Sequence, residues 1–172
     1  MTLATALLSA GCTVSPAELS AASTPTSTPT TAATPPTAAT PPAANFPDMV
    51  QTIHQQVNEF RRSQGLAPLS LQPLMSAEAR QHSEAMAQAG GLSHDGFSQR
   101  VAAIRQTLPL RSAAENVAFN SGFEDPAAQA VEGWKQSPGH RQNMLGDFSQ
   151  TGIGIAQDAQ GQYYFTQLFG EL

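Results

Sequence analysis

Two histidines and one glutamate are the residues whose types and surroundings could do chemistry. His94 lies in the polar stretch LSHDG and His140 in the stretch SPGHR, each beside a predicted helix. Glu115 stands near the start of the otherwise apolar stretch AENVAFN. Loops beside rigid elements commonly carry binding and catalytic groups. A buried carboxylate needs a partner, which an imidazole can provide, so we expect the three side chains to share one polar cleft.

Two imidazoles and a carboxylate allow more than one kind of site. Imidazole nitrogens suit zinc or another divalent cation, and the carboxylate of Glu115 can be a third ligand or can orient His94 or His140 from behind. A water molecule at an open metal position would have a lowered pKa, which is the start of metal-assisted hydrolysis with Glu115 as general base. The other interpretation is a hydrogen-bonded cluster that stabilises the cleft and binds metal weakly. The residue types leave both open.

Four further polar or aromatic residues have structural interpretations. His54 lies off the apolar stripe of the first predicted helix, and we expect it to be solvated. His82 lies on an apolar helical stripe, which is typical of a packed, hydrogen-bonded histidine. Trp134 recurs at helical spacing with apolar residues and is predicted to lie in the core. Asn116 is expected to bond loop backbone near the cleft rather than a substrate.

Composition and missing motifs exclude several classes of protein. The eight Lys and Arg residues are scattered among 13 Asp and Glu, with a net charge of -5, so no basic stripe exists for nucleic acid or for an anionic membrane. The motifs HExxH and GxSxG and a Gly-rich phosphate loop are absent. The only cysteine, Cys12, lies far from the residues discussed above. Common zincin, serine and cysteine hydrolases therefore have no support.

Hydrophobic periodicity predicts four helices and three main strands. The helices cover about 47–63 and 73–89, a stretch capped by Asp95 or Ser98 and ended by Leu108-Pro109, and a stretch that starts at Asp125-Pro126. The strands cover 114–120, 152–157 and 162–169, the last two joined by a turn at 158–161. The pattern predicts an α+β fold, a three-layer α-β-α sandwich with a small antiparallel sheet.

The amino-terminal quarter of the chain has a different composition. Residues 13–45 are almost entirely Thr, Ala, Pro and Ser, which is typical of a disordered linker, and residues 46–172 are predicted to form one domain. Residues 1–12 are short and apolar and end at Cys12, which resembles the end of a bacterial lipoprotein signal. We therefore expect an exported protein of the cell envelope or extracellular space. Its one membrane contact would be a lipid on Cys12, with the linker as a tether.

Several motifs together resemble one known family. Ser93-His94 with Gly96 is followed by AENVA at 114–118, by WxxSPGHRxNML from Trp134 onward and by GIGIA at 152–156. Their order and spacing are similar to the CAP superfamily, which includes cysteine-rich secretory proteins, venom allergens and plant pathogenesis-related proteins. The bacterial SCP-like extracellular branch is the best match, over about residues 48–170. The resemblance implies an α-β-α sandwich.

The resemblance also implies roles for individual residues. In the family, two His and two Glu line a central cleft and can hold a divalent metal such as zinc. His94, Glu115 and His140 correspond to the first His, the first Glu and the second His. The second Glu follows the tryptophan by three places, where this chain has Ser137. Glu132 is near in sequence but precedes the tryptophan, so the set here is a triad.

Two functions remain in competition at this stage. The first is a non-catalytic, monomeric extracellular binding module whose cleft accepts a small apolar or peptide ligand or a component of the cell envelope. The resemblance supports it, since CAP proteins are associated with sterol and lipid binding and with surface interactions. The second is a metal-assisted hydrolase of peptides or cell-wall material, with Glu115 as the best catalytic candidate. An inert spacer is a third alternative. We place binding first because no complete catalytic set is visible.

Overall fold

A computed structural model describes residues 45–172 of the chain. This part contains five helices and four strands, numbered in chain order: α1 Phe46–Ser63, β1 Ser70–Leu71, α2 Pro73–Ala89, α3 Phe97–Arg105, β2 Ser112–Asn120, α4 Pro126–Gln136, α5 Pro138–Met144, β3 Gln150–Gln157 and β4 Tyr163–Glu171. The predicted α-β-α sandwich is confirmed.

The two long helices have the bounds that periodicity and proline position predict. Proline has no N–H to lose in a first helical turn, and Pro47 and Pro73 each stand there in α1 and α2. Helix α2 ends at Gly90, whose left-handed φ of 70° favours glycine. In α4, the side chain of Asp125 accepts a hydrogen bond from the Ala128 N–H, as expected of a helix cap.

The four strands form one sheet in the order β1-β3-β4-β2. Strand β4 is antiparallel to both β2 and β3, as the predicted hairpin requires. Strand β1 adds a short parallel pair with β3, in a stretch whose sequence predicts only an extended connection. Strand β2 is therefore an edge strand, and the candidate residue Glu115 lies on it.

Helices cover both faces of the sheet. One face carries α1 and α4, whose buried apolar side chains pack on alternate residues of β3 and β4 around Trp134. The other face carries α2 and α3, which pack on Leu168 through Met75, Ala79 and Ile104. Because β2 lies at the edge of the sheet, residues at the ends of both helical layers can contact it.

Helix α2 lies directly against the backbone of β3. A Cβ placed on Gly152 would meet the backbone of Met75, and one on Gly154 would meet the backbone of Ala79 and Arg80. Two glycines in one strand thus permit a close helix–sheet contact, which is a common reason for glycine inside a strand.

Two local predictions are wrong. Helix α3 has no side-chain cap from Asp95 or Ser98, and the residue before it is Gly96 at a left-handed φ of 74°. His140 does not lie in a loop but inside the seven-residue helix α5, which is the fifth helix.

Within residues 45–172 no helix is long and apolar enough to cross a bilayer.

Candidate functional site

Glu115 is the centre of a charged network at the edge of the sheet. Its side chain is 2% exposed. Its Oε1 lies 2.9 Å from Nδ1 of His94. Its Oε2 accepts two hydrogen bonds from Arg100, from Nε at 3.0 Å and from Nη2 at 2.6 Å. Both carboxylate oxygens are therefore occupied, and the buried charge has a cationic partner.

Arg100 is a member of the site that is absent from the set predicted from sequence. It lies on α3 with a side chain that is 10% exposed, and its Nη1 donates to the Asp95 carbonyl at 2.8 Å. A signal exists in the sequence, since Arg100 stands three residues after Phe97 and four before Ile104, on the apolar stripe of its helix. An arginine on such a stripe, together with one isolated buried acid, indicates an ion pair.

His82 supports the loop that carries His94. It is buried, as predicted, and its Nε2 lies 2.7 Å from the Ser93 carbonyl and 4.0 Å from Oε1 of Glu115. Burial lowers the pKa of His82, against the hydrogen bond to Ser93, which raises it. A neutral His82 donates Nε2–H to that carbonyl and so fixes the residue before His94.

Helix α5, which carries His140, is bonded to β2 at the residue after Glu115. Asn116 follows Glu115 on β2, so the two side chains point to opposite faces. Asn116 donates to the His140 backbone carbonyl at 3.1 Å, which is the predicted kind of backbone contact. Asn143 of α5 donates to Oδ1 of Asn116 at 2.9 Å and to the Glu115 carbonyl at 3.1 Å. Two consecutive residues of β2 thus contact the side chain of His94 and the backbone of His140.

Burial and His94 both affect the pKa of His140. The pKa of His140 is lowered, first by burial and then by the positive charge that His94 carries when protonated. A second protonated imidazole beside the first is therefore disfavoured. The site presents at least one neutral imidazole near neutral pH, with a nitrogen lone pair available to a hydrogen-bond donor or a cation.

The site is open rather than deep. The side chain of His94 is 55% exposed, and Leu92, two residues earlier, is 44% exposed. A cavity of about 220 Å³ lies against the same loop, with Met86, Ala85 and Ala89 of α2 among its lining residues. Ser93 and Asp95, the neighbours of His94, also line it. Apolar surface therefore lies beside the loop that carries His94.

Comparison with known proteins identifies the family of the domain. The sequence model of the family described as "CAP: Cysteine-rich secretory protein family" matches residues 54–169, which contain the whole network. The chain belongs to the CAP family.

Two CAP relatives come from Bacillus subtilis strain 168. An uncharacterized membrane protein, YlbC, is 33% identical over 118 residues, which are 65% of this chain and 31% of YlbC. An uncharacterized protein, YkwD, is 27% identical over 133 residues, 73% of this chain and 50% of YkwD. The chain therefore spans half or less of the length of these curated relatives.

Solved CAP structures have the same architecture. An extracellular SCP-domain protein of Bacillus anthracis has a TM-score of 0.61 at 26% identity, covering 71% of this chain and 40% of that one. A cysteine-rich secretory protein of Staphylococcus aureus has a TM-score of 0.61 at 20% identity, over 76% and 41%. An outer surface protein of Borrelia burgdorferi has a TM-score of 0.65 at 17% identity, over 74% and 96%.

The resemblance to the CAP family places its second glutamate at a position where this chain has no carboxylate. Ser137 stands there, between α4 and α5, and its side chain makes no cap hydrogen bond to α5. Glu132 does not replace it. One oxygen of Glu132 bonds Gln136 at 2.9 Å and the other lies 3.6 Å from Lys135, both on its own helix. The network of Arg100, Glu115 and His94 is complete without a second acid.

Two further predictions are decided or left open here. His54 is not solvated as expected, because its Nε2 lies 2.8 Å from the Leu69 carbonyl in a half-buried position. In the described part of the chain no three His, Cys, Asp or Glu side chains form a group that could hold a metal ion. Metal binding by His94, His140 and Glu115 stays a prediction. Cys12 lies outside the described residues.

Proposed function

We propose that this CAP domain is a non-catalytic binding module that holds a small apolar or peptide ligand at the imidazoles of His94 and His140. The observation that carries the proposal is that both Glu115 oxygens accept hydrogen bonds, Oε2 from Arg100 and Oε1 from His94. A carboxylate held in this way orients an imidazole and is a poor acceptor for a substrate proton. The exposed imidazole of His94 and the half-buried imidazole of His140 are then ligand contacts.

The surface beside the imidazoles supports the proposed ligand class. Leu92 is exposed next to the loop of His94, and the cavity of about 220 Å³ has Met86 and two alanines in its wall. Binding sites of this kind combine apolar walls with a few polar groups that fix orientation. A peptide or a small apolar molecule with one polar group would use both features.

The metal-assisted hydrolase is the less favoured alternative. It requires Glu115 to accept a proton from water, whereas both Glu115 oxygens already accept hydrogen bonds. A zinc ion or another divalent cation fits the donor set in a different way, with one nitrogen each from His94 and His140 and with Glu115 behind His94. In that arrangement the cation would give a ligand a Lewis-acidic contact.

An extracellular or cell-envelope location is part of the proposal. One structural relative is an extracellular protein of Bacillus anthracis, and another is an outer surface protein of Borrelia burgdorferi. Export by a lipoprotein-type signal, lipidation of Cys12, a Thr- and Pro-rich tether at 13–45 and a monomeric domain belong to the same proposal. Labelling of the protein with a radioactive fatty acid in a bacterial host, against the Cys12→Ser variant, tests the lipid anchor.

A ligand titration tests the binding function directly. The probes are a fluorescent fatty acid, a fluorescent sterol and a set of short peptides, added to the purified domain. His94→Ala and His140→Ala are expected to weaken binding of the probe that binds best by at least about tenfold, the cost of one good hydrogen bond. His54→Ala is the matched control, because that histidine lies on α1 and bonds the Leu69 carbonyl. Equal affinity in all four proteins would remove the two imidazoles from the binding function.

Zinc binding, if it uses the two imidazoles, depends on pH in a predictable direction. Protons compete with the cation for the same nitrogens, so affinity falls as pH drops through the histidine range. Titration calorimetry with zinc alone at about pH 8 and about pH 5.5 measures the change. An affinity that is equal at both pH values contradicts ligation by His94 and His140. Activity on peptide or cell-wall substrates that is lost with a chelator and in Glu115→Gln would support the hydrolase instead.

A further inference from the structure

Arg100 is placed to fix which groups of the site donate hydrogen bonds and which accept them. Two of its N–H groups converge on Oε2 of Glu115, at 3.0 and 2.6 Å, and a third binds the Asp95 carbonyl at 2.8 Å. A guanidinium is planar and holds its donors in a fixed fork. Because the fork is anchored at both ends, the Glu115 carboxylate has one fixed orientation, with Oε2 toward Arg100 and Oε1 toward His94.

The fixed carboxylate determines where His94 carries its proton. Arginine has donors and no acceptor, so Oε2 is committed as an acceptor. A carboxylate has no proton to give at Oε1 either, so the 2.9 Å contact must be a hydrogen bond donated by Nδ1–H of His94. A neutral imidazole has one N–H, which leaves the lone pair on Nε2. Within residues 45–172 no hydrogen bond is made to that Nε2.

We propose that Arg100 is a positioning residue that, through Glu115, holds His94 in the Nδ1–H tautomer and so presents Nε2 to the ligand as an acceptor. The biological use of this tautomer rests on the binding function proposed above. It narrows the ligand class, since the group that contacts His94 must be a hydrogen-bond donor, such as a peptide N–H or a hydroxyl, or a cation. A ligand whose polar group is only a hydrogen-bond acceptor would face the lone pair of His94 Nε2 and could not form a hydrogen bond with it.

The alternative role for Arg100 is charge compensation alone. A buried carboxylate needs a cationic partner whether or not any imidazole is oriented. Loss of stability in an Arg100 variant therefore does not separate the two roles. The tautomer of His94 in an Arg100 variant separates the two roles, because charge compensation alone does not determine which ring nitrogen is protonated.

Nuclear magnetic resonance of ring nitrogens measures the tautomer without any ligand. The protein is labelled with ¹⁵N-histidine and its spectrum is taken at about pH 8, above the ordinary histidine pKa of about 6.5. Loss of one set of signals in His94→Gln assigns the residue. The expected result is a proton on Nδ1 and none on Nε2. A wild-type His94 with its proton on Nε2 overturns the proposal, whatever the outcome of the ligand titration.

Two variants separate positioning from charge compensation. In Arg100→Met the carboxylate is free to turn away, and His94 is expected to shift toward the Nε2–H tautomer that an unconstrained imidazole prefers. Arg105→Met is the matched control, because Arg105 lies on the same helix and bonds only the carbonyls of Leu110 and Arg111. If Arg100→Met keeps only the Nδ1–H tautomer, Arg100 has no positioning role.

Glu115→Gln gives a sharper form of the same test. The donors of Arg100 require the amide oxygen of the new side chain, so its NH₂ group must face Nδ1 of His94, and the ring proton should move to Nε2. Removing Arg100 as well frees the amide to turn, and both tautomers are then expected. The same tautomer in the single variant and in Arg100→Met/Glu115→Gln would overturn the proposal. Dispersed amide spectra verify that each variant is folded, and the wild-type spectrum decides the tautomer independently.

Discussion

At the scale of single residues, His82 shows how the candidate site depends on burial. It is an imidazole in a nearly closed position between the Ser93 carbonyl and the Glu115 carboxylate. Burial lowers its pKa most, and the nearby charges of Arg100 and His94 lower it as well. The folded protein therefore holds a neutral His82 at pH values at which the unfolded chain already binds a proton.

This difference predicts acid destabilisation. The unfolded state binds more protons than the folded state as pH falls below about 6.5, so the free energy of unfolding decreases in that direction. The lowered pKa of His140 acts in the same direction. Urea unfolding at about pH 7.5 and about pH 5 measures the loss. His82→Gln, which keeps a donor for the Ser93 carbonyl, should lose less stability over that interval, and an equal loss in both proteins would contradict the assignment.

The individual site residues were predictable to different degrees. His94 and His140 stand in polar stretches beside helices, and Glu115 is an acid in an apolar stretch, so type and position were informative. Arg100 was missed because arginines on helices are usually solvated. The identity of its partner depends on a loop conformation that no local pattern specifies. His54 was misjudged for the same reason, since its partner is the carbonyl of Leu69, fifteen residues away.

At the scale of elements, the approach of α2 to β3 depends on glycine. A Cβ on Gly154 would collide with the backbone of Ala79 and Arg80, and backbone cannot rotate away as a side chain can. Gly133 is a useful contrast, because it lies inside α4 and a Cβ added there would have no neighbouring atom within 4 Å. The same substitution should therefore have opposite effects at the two sites.

Gly154→Ala is expected to destabilise the domain by at least about 1–3 kcal/mol through overpacking. Gly133→Ala is expected to stabilise it by about 0.5–1 kcal/mol, because alanine loses less backbone entropy in a helix. Urea unfolding of both variants beside the wild type measures the two changes. If Gly154→Ala were more stable than the wild type, α2 would have to move away from β3 without any loss of folding free energy, which contradicts the prediction.

Elements with strong periodicity were predicted closely, and short ones were not. Helices α1 and α2 each have a proline at the start and a continuous apolar stripe. Helix α5 has seven residues, too few to display a stripe, and β1 has two residues that become a strand only by pairing with β3. Convergence of His94 and His140 depends on these short elements and on the edge position of β2, which are tertiary properties.

At the scale of the whole molecule, the domain is stabilised by non-covalent contacts. The chain has one cysteine, at position 12, so no disulfide can form within it, although its family is named for cysteine-rich members. Apolar clusters on both faces of the sheet provide the buried surface instead. Buried hydrogen bonds from Arg61 to the carbonyls of Met144, Gly146 and Phe148 add a tie between α1 and the chain after α5.

A reducing agent is therefore expected to leave thermal unfolding unchanged. Differential scanning calorimetry of the wild type with and without dithiothreitol measures this, and Cys12→Ser controls for disulfides between copies. A lower Tm on reduction in the wild type alone would show that a link through Cys12 stabilises a dimer.

The edge position of β2 has a mechanical consequence for ligand binding. On one side of the sheet His94 contacts this strand through Glu115, and on the other side α5, which carries His140, contacts it through Asn116. A ligand that contacts both imidazoles would link the helical layers on the two faces of the sheet. The binding free energy of that ligand would oppose separation of the two layers. Amide hydrogens on both sides of the sheet should therefore exchange more slowly when the ligand is bound.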